Sequence, residues 1–176
     1  DCIPLGWQSP PHSVTELLWQ EVSLPEDLAD LADLLPDNLS DVIAALAEFE
    51  MVRLTGPDRA SAHAILALAL FGVSQPENTG RTVERLAELY RRLLPKVGRE
   101  PVPPLTEGDL AISLMCLIDG FTLNEPALHE QMYRHLDWEP AVEPETPDLP
   151  WTLFAIAVEG IVLRMTRPMQ GAPEDG

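Results

Sequence analysis

Two stretches of this 176-residue chain share one unusual feature. CLIDGFTL (116–123) and IAVEGIVL (156–163) are apolar runs, and each is broken in the middle by an acid followed by glycine. A carboxylate set among apolar side chains is a candidate for buried acid–base work. Asp119 and Glu159 are therefore the first residues to consider, with His63 as a third. His63 lies on an otherwise apolar segment beside Ala60, Leu66 and Ala67. Its two readings are a hydrogen-bonded core histidine and a polar contact inside a ligand cavity.

Other constellations offer less. A di-metal carboxylate bundle needs Glu-x-x-His pairs, and no Glu here has His three residues later. His129 and His135 are six apart and do not share a helical face, and Cys116 has no neighbouring cysteine to complete a zinc site. The Asp27, Asp30 and Asp33 repeat in EDLADLADLL reads as the solvated side of a short helix with Leu28, Leu31 and Leu34 turned inward. There is no G-x-S-x-G elbow, P-loop or G-x-G-x-x-G fingerprint. The expectation is a protein that is not an enzyme and needs no metal or cofactor.

The elements that would hold these residues are helical. Hydrophobic residues make up 45% of the chain and aromatics 6%, and alternating Val, Ile and Thr runs are missing, which together suit aliphatic helices. The 18 prolines sit mostly between apolar segments, where they end helices. These signals predict helices near 13–22, 26–35, 38–54, 58–73, 76–97, 107–124, 125–137 and 148–167. The expected fold is therefore all-α, one domain over 1–176 with about seven to eight helices, terminal tails at 1–12 and 168–176, and a mobile Pro- and acid-rich loop at 139–149. Ser13 with Glu16, Ser74 with Glu77 and, more loosely, Thr106 with Asp109 have the spacing of capping boxes. Segment 81–97 is amphipathic, with Val83, Leu86, Ala87, Tyr90, Leu93, Leu94 and Val97 on one stripe and Glu84, Glu88, Arg91 and Arg92 opposite. By contrast AHAILALALFGV (62–73) is apolar on every side and is expected to be central.

Charge limits the partners. With 29 acids against 11 bases the net charge is -18, and such a surface repels phosphate backbones, so no nucleic acid should bind this chain alone. Cys2 and Cys116 form no disulfide framework, which fits a cytoplasmic setting. No apolar run reaches the roughly 18 residues that span a bilayer, so no membrane partner is expected. The first residues, Asp1-Cys2-Ile3-Pro4, lack Met, as expected of a fragment or a processed chain.

The stretch RLAELYRRLLPKVGREPVPPLTEGDLAISLMCLIDGFTL resembles the second half of a TetR-family transcriptional regulator. Ala111, Leu114, Leu117, Ile118, Asp119, Gly120 and Phe121 stand where that family's motif of alanine, apolar residues, Asp, Gly and an apolar residue would put them. The resemblance covers roughly residues 58–167 and implies an all-helical regulatory domain that binds a small molecule and pairs its last two long helices with those of a second subunit. The family's basic helix-turn-helix is not found in this chain, so DNA binding would need a separate domain.

On this reading a homodimer interface would use Leu117, Gly120, Phe121, Ile156, Gly160 and Leu163, with the glycines letting helices approach. A small apolar ligand would lie among His63, Leu66, Leu70, Met115, Asp119, Phe154 and Val158. Two other functions compete. One is an acidic helical interaction module without a ligand, and the other is an all-helical enzyme using Glu159, Asp119 and His63.

Overall fold

A computed structural model describes residues 31–55, 76–146, 149 and 151–169. Within them lie five helices: α1 (Leu31–Leu34), α2 (Leu39–Thr55), α3 (Pro76–Lys96), α4 (Glu107–Tyr133) and α5 (Leu153–Met165). Two three-residue strands, β1 (Arg99–Pro101) and β2 (Thr166–Pro168), pair antiparallel, with Glu100 opposite Arg167. The described part is thus mostly helical, consistent with the all-α expectation. The predicted helices 13–22 and 58–73 and the Ser13 and Ser74 caps lie outside the described residues.

Helix starts follow local chemistry. Asn38 caps α2, its side-chain oxygen accepting from the N–H groups of Ser40 (2.9 Å) and Asp41 (3.3 Å). Thr106 and Asp109 form a complete capping box at α4, the Thr hydroxyl accepting from Asp109 N–H and the carboxylate accepting from Thr106 N–H at 2.8 Å. The Thr106 hydroxyl, which donates to the Asp109 carboxylate at 2.7 Å, and the Thr106 N–H together hold that carboxyl below the ordinary carboxylate range. Thr152 caps α5 through Ala155 N–H. Helix ends are closed both by distant residues and by local turns. Lys96 closes α1 by donating to Ala32 O (3.1 Å) and Leu35 O (2.5 Å) while pairing with Asp37. After α3 the chain turns at Gly98, whose φ of 68° favours glycine.

The core is aliphatic with a few aromatics. From α3 it takes Ala87, Leu89, Tyr90, Leu93 and Leu94, so the amphipathic stripe read from sequence faces inward, and Glu88 pairs with Arg91 and Arg92 on the outside. Burial, with Glu50 adding to it, pushes the Tyr90 phenol well above its ordinary range. From α4 come Leu110, Ala111 and Leu114, and from α5 Phe154, Ala155, Val158 and Val162. α4 packs against both α3 and α5, and α2 covers α5. Phe121 meets Phe154 edge to face at 5.0 Å.

Three expectations change and one element is new. The separate helix 125–137 is the far end of α4: Pro126 bends the helix without ending it, and the distortion is taken up at Leu128 (φ -123°, ψ 19°). The helix expected over 148–167 is shorter, because Thr152 caps its start and β2 takes over after Met165. Leu31 packs against the core and Asp33 faces solvent as the spacing suggested, but Leu34 is exposed and Ala32 and Leu35 are buried in its place, while Leu28 lies outside the described residues. The ribbon β1–β2 was not foreseen. Arg99 braces it by donating to Thr166 Oγ1 (2.6 Å) and Thr166 O (3.0 Å), and partial burial lowers the guanidinium pKa.

Candidate functional site

The two acid–glycine steps part company in the fold. Glu159 is buried, at 3% exposure, whereas Asp119 is exposed, so apolar surroundings hold for Glu159 alone. The reason is helical phase. On α4, residues 110, 111, 114, 117, 118, 121, 122 and 125 turn inward, and Asp119 falls on the other side with Ile112, Cys116, Gly120 and Leu123.

That other side is the notable surface. Ile112 (50%), Leu123 (54%) and Leu153 (44%) stand out into solvent among the residues of α4 and α5. Gly120 on α4 and Gly160 on α5 are exposed too, and a Cβ added to either would meet none of the described residues within 4 Å. Among the described residues the glycines therefore mark no close helix crossing. Of the other interface residues expected from sequence, Leu117, Phe121, Ile156 and Leu163 are half-buried and pack against the core edge. On this outer face the exposed charged side chains include one acid, Asp119, and one base, Arg164.

The seven residues expected to line a cavity are only partly placed. His63, Leu66 and Leu70 lie outside the described residues. Phe154 and Val158 are buried in the core, Met115 is half-buried, and Asp119 is exposed on the outer face. The structure thus brings Phe154 and Val158 into one cluster and leaves Asp119 out of it.

Two polar constructions escaped the sequence reading. Both Glu159 oxygens are occupied, one by Trp138 Nε1 and the other by Ala141 N–H, each at 2.8 Å. Farther along α4, Glu125 is fully buried and meets His129 Nδ1 at 2.6 Å, and the His129 ring packs on Tyr133 at 4.9 Å. The spacing of Glu125, His129 and Tyr133 at i, i+4 and i+8 was the available signal for this ladder. For Glu159 and Trp138, 21 positions apart, no local signal existed.

Among the described residues no group of three or more His, Cys, Asp or Glu could hold a metal ion, and no helix is long and apolar enough to cross a membrane. No family model matches the chain, and neither a curated protein nor a solved structure does. The surface itself must carry the functional argument.

Proposed function

We propose that this chain is the small-molecule-sensing and dimerisation domain of a TetR-like transcriptional regulator, pairing with a second copy through the outer face of α4 and α5. The observation that carries this reading is the exposed apolar side of those two helices, with Gly120 and Gly160 open on it. Large apolar side chains left exposed on the outer sides of two packed helices are the kind of surface that a partner covers. A twofold pairing suits it, because one self-complementary patch then serves both subunits. Glycines permit the close approach, at helix separations of about 8–10 Å.

The sensing half rests on the sequence resemblance and on the core position of Phe154 and Val158. N-phenyl-1-naphthylamine, an apolar fluorescent probe, tests it directly. Saturable enhancement of its fluorescence, with a melting temperature that rises with probe concentration, supports sensing. Non-saturable or absent binding rejects that half and leaves the pairing half standing.

A second reading, the acidic interaction module, is favoured by the exposed side chains of Asp137, Glu139, Glu143 and Glu145 along one segment. It would direct the segment to a basic partner and needs no cavity.

A further inference from the structure

The segment 137–146 is attached to the rest of the molecule in an unusual way. Most of its own side chains, including Asp137, Glu139, Ala141, Glu143, Glu145 and Thr146, point into solvent. Other elements reach out to grip its backbone. Glu159 on α5 takes Ala141 N–H and the Trp138 indole. At the start of α2, Ser40 Oγ donates to Val142 O (2.5 Å), Asn38 Nδ2 donates to Glu143 O (2.9 Å), and Asp41 accepts from Glu145 N–H (3.0 Å) and Thr146 N–H (3.1 Å). The base of the segment is closed by Leu136 N–H donating to Trp151 O at 2.8 Å. Val142 is its one side chain packed against the core cluster.

A segment held mainly by polar ties, with one apolar anchor, opens at far less cost than a core helix does. Its ties also depend on one another. The Ala141 and Glu145 contacts are four residues apart on one short backbone, so losing the grip at one end frees the other from its fixed geometry. Amides cannot replace the carboxylates. Gln at 159 or Asn at 41 offers one acceptor and one N–H group to two donors, and one donor is left facing another.

We propose that residues 137–146 form a latch that opens and closes as one unit and couples the N-terminus of α2 to the middle of α5. Events that shift α2 at Asn38–Asp41 are then felt at Glu159, one residue from Gly160, and the reverse holds by linkage. The inference goes beyond the proposed pairing and does not depend on it, because both ends of the latch lie within one chain.

Residue-resolved hydrogen exchange by NMR on the full chain tests it. Asp41→Asn, which touches neither Ala141 nor Trp138, should speed exchange of the Ala141 amide at least about tenfold. Glu159→Gln should do the same at the Glu145 and Thr146 amides, with the α5 amide of Val162 unchanged. The double variant should speed exchange at all the latch amides alike, by more than either single variant, because both substitutions weaken the same closed unit. Where Glu159→Gln does not fold, Trp138→Phe removes the indole donor while keeping an aromatic ring, and should produce the same spread. Acceleration confined to the amides that each replaced carboxylate binds would overturn the latch.

Discussion

Replacing Gly160 by leucine should move two quantities in opposite directions. Among the described residues there is room, since none of them lies within 4 Å of a Cβ at this position. Glycine within a helix costs roughly 0.5–1 kcal/mol relative to better helix formers, so the isolated subunit should gain about that much. At a two-helix seam the same side chain is an obstruction. Overfilling a packed contact costs about 1–3 kcal/mol per site, and twofold symmetry presents the site twice, giving about 2–6 kcal/mol and a dissociation constant weakened about 30-fold or more. Light scattering on a concentration series reads the association, and urea unfolding at dilutions where all variants are monomeric reads the subunit. Gly120→Leu should behave in the same way, and the alanine variants should keep the gain in stability with a smaller loss of pairing. Unchanged association in both leucine variants would refute the claim that these glycines mark the seam, whatever happened to stability.

Further outcomes follow from single contacts. Phe154→Ala removes a buried ring that meets Phe121 edge on, and should cost about 3–5 kcal/mol in urea unfolding. Arg99→Lys loses the paired donation to Thr166 and should cost about 1 kcal/mol, with faster amide exchange in the ribbon, while β1–β2 pairing persists. Asp109 titrates below its ordinary value of 3.8 because Thr106 donates to its carboxylate. Its contribution to stability is therefore fully present above that ordinary value and is lost as the pH falls through the lower folded-state value. In Thr106→Ala, NMR titration should find the Asp109 carboxyl moved back up, and an unmoved midpoint would assign the shift to another cause.

Much of the helical layout was legible because it is local. The stripe from Val83 to Val97, the Thr106–Asp109 box and the Glu88 pairs with Arg91 and Arg92 all lie within one turn or one face of a helix. Pro126 misled for a physical reason: proline removes one helical hydrogen bond, and flanking packing, with Glu125 and Met132 both buried, can carry a helix through that loss with a kink. The three-residue strands were invisible because no alternation can be read over so few positions. The loop expected to be mobile at 139–149 contains Ala141, Glu145 and Thr146, whose amides bind carboxylates on distant helices. Proline and acid content describes such a segment's own side chains, and here the grip comes from Asp41 and Glu159. The acid–glycine repeat was visible as a pattern, but its meaning split, since helical phase sends Asp119 outward and Glu159 inward.

Sedimentation equilibrium of the unaltered chain tests the central claim most directly. The account predicts a species of twice the 19.4 kDa chain mass at roughly 10 µM protein. It also predicts that this species persists in about 1 M salt, where exposed charges are screened within about 3 Å while apolar burial is retained. A single species at the chain mass across the whole concentration range, at low and high salt alike, would contradict it.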